Sequence, residues 1–425
     1  MNSKGNEIFN LAKELWPLNR SITGDGVRHT LRIIKKIIPE LKIHEVPSGK
    51  KVFDWTIPKE WNVKEAWIKT PSGKIICEFS ENNLHLLGYS IPVHKKLSLD
   101  ELKEKLYTHD IGNAIPYRTS YYNEDWGFCL SKNQYDSLEE GLYEVFIDSE
   151  LKDGNMTYGE LLVKGQSKEE IFFSTYICHP SMANNELSGP CLTTFLAKFI
   201  SSKKRLKSYR IIFIPETIGS INYISDNLHI LKKRMLAGYN MSCVGDNRCF
   251  SYLPSRNGNT ISDLYAKKIL DDIVGDYKKY TWLNRASDER QYCSPGVDLP
   301  VCSIMRSKFG EYPEYHTSLD DLINVVSVDG FETSYNFYAN LINALDSHCY
   351  PKSIFLCEPN LGKRALYPLL SGGTKDVSIK LLKNVLSYCD GDLSIVEISE
   401  KVECSYIDTL KVLKKLNKAG VVSLD

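Results

Sequence analysis

The sequence predicts an α/β fold: a mostly parallel sheet with helices on both faces, a small β-rich insertion, and a C-terminal winged helix-turn-helix. Three observations predict it. Between Glu170 and about Leu345, short apolar runs alternate with stretches of helix-period apolar residues, as strands joined by crossover helices do. From Val52 to Gly165 the chain changes to short β-prone runs separated by turn residues. Beyond about Cys357 it changes again, to three helical stretches and a terminal apolar pair, the outline of a winged helix. At 425 residues the chain has room for two or three domains. The expected division is 1–51 with 166–350 as the α/β domain, 52–165 as the insertion, and 351–425 as linker and winged helix.

Residues 6–40 read as two helices. Ile8, Leu11, Ala12 and Leu15 keep helical spacing in the first, and Leu31, Ile33, Ile34 and Ile37 in the second. Between them lies Arg20-Ser-Ile-Thr-Gly-Asp-Gly-Val-Arg28, expected to be a capped turn with solvated arginines. In the insertion, VFDWTIPKEW, AWIKT, KIICEF, WGFCLS, GLYEVFID and TYGELLVKG supply the strands, with one helical interlude at Ser98 to Leu106. Trp55, Trp61, Trp67 and Trp126 read as core or interface residues.

The stretch Ile171 to Gly189, IFFSTYICHPSMANNELSG, begins as a two-sided buried strand and stops at Cys178-His179-Pro180. Asn184, Asn185 and Glu186 follow, then Ser188-Gly-Pro190, which can open a helix. Arg210 to Glu216 is a second core strand, Gly238 to Asp246 a third, and Leu299 to Met305 a fourth. Ligands in open α/β sheets sit at the carboxyl ends of the strands. Three of these strands end in a residue able to bind a metal or move a proton: His179, Glu216 and Asp246. A second histidine, His316, lies in Glu311-YPEYHTSLDDL-Leu322, where Thr317 or Ser318 with Asp320 can start a helix.

The formal net charge is zero, with 42% apolar and 25% charged residues, so the whole chain lacks a nucleic-acid binder's electrostatic footprint. No apolar h-region opens the chain, and no stretch approaches about 18 uninterrupted apolar residues, so neither a signal peptide nor a membrane span is expected. The twelve cysteines show no CxxC spacing and read as reduced thiols of a cytoplasmic protein.

Histidines and carboxylates converging on one sheet edge suit a zinc site with a water in the open position and a glutamate to take its proton. Glu216, beside a Thr-Ile-Gly-Ser turn, is the expected base. Arg290 can bind a substrate carboxylate bidentately or pair with Asp288 and Glu289, and the two readings stand equal.

The segments CHPSMANNELSG, IPETIGS, SDERQY and EYHTSLDDL resemble, in that order, the motif series of the zinc-dependent aminopeptidase superfamily with its phosphorylase/hydrolase-like core. RSITGDGVR, VFDWTIPKEW, PETIGS and the winged-helix tail are similar to bacterial aminopeptidase-like proteins, some of them linked to polysaccharide biosynthesis. The narrower resemblance covers nearly the whole chain; the superfamily motifs cover only the α/β core. The resemblance implies that His179 and His316 are the first and last metal histidines. Asn185, with Glu186 beside it, stands where a metal-bridging Asp is expected. Glu216-Thr217 stands where a Glu-Glu pair is expected, which keeps the base and loses a ligand. Asp246 is the nearest acid to the third-strand ligand. One Zn2+, held by His179, His316 and an acid from Asp246 or Glu186, is the expected cofactor. Asp288, Arg256 and Tyr315 complete the expected substrate-facing set with Arg290.

The expectation is a zinc hydrolase acting on an amide bond in a small peptide or an amino-acylated sugar. The rival is a non-catalytic ligand-binding or regulatory protein with a degenerate peptidase core, and a metal-dependent cyclase or deacylase is a third option. The third helix of the tail carries Lys411, Lys414, Lys415 and Lys418. Its basic face is expected to contact protein, possible self-assembly included, ahead of DNA.

Overall fold

The computed structural model describes residues 3–366 and 379–424. The expected linker turn at Ser371–Thr374, with Pro368, lies outside them. Two N-terminal helices, α1 (Lys4–Leu15) and α2 (Asp25–Ile37), precede an eight-stranded sheet. Its strands are β1 (Lys42–Pro47), β2 (Asn155–Val163), β3 (Glu170–Tyr176), β4 (Ser208–Ile214), β5 (Met235–Asn240), β6 (Ser251–Leu253), β7 (Lys278–Lys279) and β8 (Val301–Met305), in the order β1-β2-β4-β3-β5-β8-β6-β7. The centre, β4-β3-β5-β8, is parallel throughout. The flanking pairs β1/β2, β2/β4 and β6/β8 are antiparallel.

Every residue of β3 and β4 is buried. Period-two alternation divides them between two cores. Ile171, Phe173, Ile211 and Phe213 face a core shared with α1, α2, α3 (Ser188–Ser201), α5 (Ile261–Ile273) and α6 (Val328–Asp346). Phe172, Tyr176, Ile212 and Ile214 face a second core, shared with α4 (Ile218–Arg234) and the insertion. The insertion is a four-stranded antiparallel sheet of Ile75–Ile76, Glu60–Lys69, Leu142–Lys152 and Val93–Ser98. Both sides of β3 are therefore dry, which explains its unbroken apolar run.

The structure corrects several element boundaries. The run TYGELLVKG, expected in the insertion, forms β2 of the central sheet, between β1 and β4. The strand ends also fall short of the marked residues: β3 stops at Tyr176 and β5 at Asn240. His179 and Asp246 therefore stand on loops beyond the sheet edge. No helix starts at Asp320; α6 begins at Val328, capped by the Ser327 hydroxyl. Trp61 and Trp126 are core residues, but Trp55 is 40% exposed.

The tail has three helices, α7 (Ile379–Ser387), α8 (Ile395–Lys401) and α9 (Tyr406–Lys418), and a two-stranded wing of Lys352–Ser353 with Val422–Ser423. Its apolar residues Val412, Leu413 and Leu416 belong to the same cluster as Leu341 and Leu345 of α6. The start of α9 is fastened to the α/β domain. The Tyr406 amide donates to Asp272 at 2.7 Å, and its hydroxyl to the Ala344 carbonyl at 2.8 Å. No helix among the described residues is long and apolar enough to cross a membrane. Cys178, Cys191, Cys243 and Cys302 are buried free thiols.

Candidate active site

At the carboxyl edge of the parallel strands the chain after β3 turns through a π-helical stretch, Ala183–Leu187, into α3. The helix packs so closely that a Cβ on Gly189 would stand 2.4 Å from the Met241 carbonyl, so only glycine fits. The turn is held from below by Asp320. Its two oxygens accept the Asn184 amide at 2.7 Å and the Asn185 amide at 2.9 Å, and Tyr312 donates to one of them at 2.8 Å. Asp320 thus ties the His316 loop to the His179 loop.

The two histidines, 137 residues apart in sequence, come together with ring centroids 5.8 Å apart. Tyr117 lies edge-on to both rings at 5.2 Å. Tyr315 stacks on His316 at 3.9 Å. Tyr117 comes from the insertion, whose segment 115–117 pairs with 316–318. Tyr117 donates its amide to the His316 carbonyl at 2.8 Å, and Ser318 donates its own to the Ile115 carbonyl at 2.8 Å. The Tyr117 and Tyr121 hydroxyls bond at 2.8 Å.

Behind His179 stands a buried pair. Glu186 Oε2 lies 2.9 Å from His179 Nδ1, and Oε1 accepts from Arg20 Nε at 3.3 Å. Arg20 Nε also reaches the His179 carbonyl at 3.1 Å, and Nη1 the Leu15 carbonyl at 2.7 Å. Arg20 is 1% exposed, which overturns the expectation of a solvated turn arginine. Arg28 is likewise paired, with Asp25 and Glu60. Burial disfavours a charged His179, but Cys178 and Glu186 outweigh it and hold the ring's pKa well above its ordinary value. Burial lowers His316 to about 3, with His179 and Arg118 pushing the same way, so that ring is neutral.

Glu216 follows β4. Its Oε1 accepts from the Ser287 hydroxyl at 2.6 Å, and its Oε2 lies 3.7 Å from His179 Nε2. Its side chain is 23% exposed, the most open carboxylate facing the histidines. Thr217 adopts φ 64°, strained for a β-branched residue. Its amide donates to Asp288 at 2.7 Å, and its hydroxyl accepts from Arg290 Nη2 at 2.8 Å. Asp288 is wholly buried, and burial with the Glu216 charge raises it to about 8.

The remaining expected residues sort by their partners. Asp246 accepts four bonds, from Asn184 Nδ2, the Arg248 amide, and the amide and hydroxyl of Ser307. Its oxygens are saturated, which corrects its assignment as a metal ligand. Glu186 accepts from Arg20 and faces His179 Nδ1, and with Cys178 and His179 it makes a group of donors able to hold a metal ion. The Asn185 side-chain oxygen lies 2.9 Å from the Tyr176 hydroxyl, and its amide nitrogen is buried without a partner. Asp288 faces the Thr217 amide and Ser220, not the opening. Arg256 is paired with Asp298 on the surface. Arg290 bonds Thr217 and forms no ion pair with Asp288 or Glu289. Tyr117 and Ser287 escaped the sequence reading, and Arg20 was expected to be solvated.

A resident zinc ion is implied by the motif resemblance, and the imidazoles of His179 and His316 are donors of the kind such an ion takes. With Nδ1 taken by Glu186, Nε2 of His179 is the free face. Centroids 5.8 Å apart suit two imidazoles meeting on one ion at Zn–N distances of about 2 Å. Cys178, His179 and Glu186 form the tightest donor group among the described residues. It is an internal hydrogen-bonded set: the Cys178 sulfur already accepts the Glu216 amide at 3.1 Å, and burial raises its thiol to about 11.

Fold and site together define an aminopeptidase-like α/β protein carrying a winged helix. The chain belongs to the family described as a domain of unknown function (DUF4910), whose profile matches residues 9–348, and residues 349–424 match a winged helix-turn-helix profile (HTH_47). It is 46% identical over 401 residues to a Clostridium acetobutylicum protein named for polysaccharide biosynthesis and an aminopeptidase-like domain, covering 93% of this chain and 91% of that one. A crystal structure of a candidate peptidase from Clostridium acetobutylicum superposes with a TM-score of 0.92 at 43% identity, covering 99% of this chain and 96% of the other. The zinc aminopeptidase BSAP of Bacillus subtilis shares the fold at 13% identity, with a TM-score of 0.57 over 81% of this chain and 95% of its own. A peptidase M28 precursor from Shewanella amazonensis does so at 13% identity and a TM-score of 0.57, over 80% and 93%.

Proposed function

We propose that the chain is a metal-dependent amide hydrolase with one zinc ion held by His179 and His316 and with Glu216 as general base. The observation that carries the reading is the approach of the two imidazoles from separate loops, with an open carboxylate oxygen 3.7 Å from His179 Nε2. When bound, zinc supplies a Lewis acid for the scissile carbonyl and a water of lowered pKa. The chain's own residues do the rest. Ser287 fixes one oxygen of Glu216, so the other faces the opening and takes a proton. Glu186 holds the proton on His179 Nδ1 and keeps Nε2 available. Tyr117 and Tyr315 wall the histidines and exclude water from one side.

The substrate class we favour is a small peptide or an amino-acylated sugar, the latter supported by the name of the 46% identical relative. The free thiols suit a reducing, cytoplasmic setting. The test is zinc content together with hydrolysis. Wild type is expected to hold about one equivalent after mild purification. Glu216→Gln should keep the metal and lose hydrolysis of a dipeptide panel by about 100-fold or more, within the range for general-base loss. Less than a tenth of an equivalent in wild type, with no refilling on titration, would end this reading. Asn185 and Thr217, standing where acids are expected, favour the second reading, a ligand-binding protein on a degenerate core. Zinc bound with no turnover by wild type would favour that one.

A further inference from the structure

The charges around the site are lopsided. A free N-terminal ammonium needs carboxylates or carbonyls to replace its waters. The carboxylates here are spent. Glu186 serves His179 and Arg20. Glu289 accepts the Ala286 and Ser287 amides and Asn240 Nδ2. Asp320 accepts three donors, and Glu314 is held bidentately by Arg248. Asp288 has an unpartnered oxygen, but the residue is fully buried. Glu216 presents a carboxylate oxygen 3.7 Å from His179 Nε2, and the hydrolytic reading already uses it.

The cations show the opposite pattern. Arg118 is exposed and forms no ion pair among the described residues. It follows Tyr117, whose amide bond to the His316 carbonyl fixes this part of the insertion beside the histidine. Arg290 is exposed and spends one N–H on Thr217, the neighbour of Glu216. A guanidinium carries five N–H donors in a planar fork that matches a carboxylate. One such group stands on the His316 side of the site and one on the Glu216 side.

We propose that the site selects a substrate with a free carboxylate close to the scissile amide, held by Arg118 and Arg290, and not one presenting a free N-terminal ammonium. This rests on the hydrolase reading and names its substrate class. It runs against the specificity that the word aminopeptidase suggests. The two arginines come from different parts of the fold, Arg118 from the insertion and Arg290 from the α/β domain, so the insertion supplies half of the specificity.

The test uses the zinc-equilibrated full chain and two probes, N-acetyl-L-alanine (carboxylate, no ammonium) and L-alaninamide (ammonium, no carboxylate), titrated calorimetrically. N-acetyl-L-alanine is expected to bind at least ten-fold tighter. Arg118→Gln and Arg290→Gln should each weaken it ten-fold or more, while Arg32→Gln, an exposed residue of α2, leaves it unchanged. Both substituted residues are exposed, so folding is preserved. Equal or tighter binding of alaninamide, or no measurable binding of N-acetyl-L-alanine, would overturn the proposal. A preference that survives both arginine substitutions would put the carboxylate on the metal and overturn it too. Hydrolysis of N-acetyl-alanyl-alanine and of N-acetyl-alanyl-alaninamide, followed in parallel, separates the two readings. Arginine-dependent binding without turnover leaves this inference standing and removes the hydrolase. Turnover indifferent to the carboxylate does the reverse.

Discussion

Glu186 Oε2 lies 2.9 Å from His179 Nδ1, and both side chains are buried. This contact fixes which ring nitrogen is free, and Arg20 fixes the carboxylate in turn. A carboxylate behind a ligating imidazole raises its basicity and sets its orientation, and loss of such a partner costs about 10- to 100-fold in metal affinity. Glu186→Gln is therefore expected to weaken zinc binding by that factor, measured by chelator competition on protein confirmed folded by circular dichroism. Because it also strands the buried Arg20 charge, the same variant should lose stability, by about 3–5 kcal/mol at most. Unchanged zinc affinity would show that His179 does not depend on this pair.

Thr217 supplies a second expectation. A β-branched residue at φ 64° stores about 1–3 kcal/mol of backbone strain. Thr217→Gly removes that strain and keeps the amide that donates to Asp288; it loses the exposed Arg290 contact. Thermal unfolding should rank glycine at or above threonine, and threonine above valine, which keeps the strain and loses the hydroxyl. Valine matching glycine would mean that the conformation is not strained.

The alternating strands and helices of the core were legible because β3 and β4 are apolar on both faces, as any strand between two cores must be. That the His179, Glu216 and His316 segments meet at one sheet edge was legible because each follows a strand or turn with recognisable local chemistry. What was not legible is partnership. Asp246 carries the right functional group, but hydrogen bonds from Ser307, Asn184 and the Arg248 amide consume it, and those donors lie 2 to 62 residues away in the chain. β2 was assigned to the insertion because its sequence is ordinary strand. Only its pairing with β1 and β4 places it in the central sheet.

The winged helix is expected not to bind DNA in the usual way. Recognition helices enter the major groove with their N-terminal residues, and here that end, Tyr406, is bonded to Asp272 and Ala344 of the α/β domain. Lys411 is further occupied by Asp408. Titration of a random 20-base-pair duplex should give no binding that weakens steeply between about 50 and 200 mM salt, the dependence that phosphate contacts impose. A steep slope that disappears in Lys415→Gln with Lys418→Gln would reverse this view.

Acid should unfold the protein partly through His348, at the joint between α6 and the tail. The ring is 4% exposed. Nδ1 pairs with the Tyr265 hydroxyl at 3.1 Å, and Nε2 has no partner. Burial, aided by Lys207, lowers its pKa to about 4, against the pull of Glu169 and Glu397. The unfolded chain, with an ordinary value of 6.5, therefore binds more protons between those limits. Stability contributed by the neutral ring is complete above pH 6.5 and is lost as pH falls toward 4, to a total of about 3 kcal/mol at most. Urea unfolding of His348→Gln, which keeps a polar group for Tyr265, should show a shallower fall over that window than wild type, although it starts from a lower plateau. Parallel curves between pH 6.5 and 4 would show that the acid sensitivity arises from other groups.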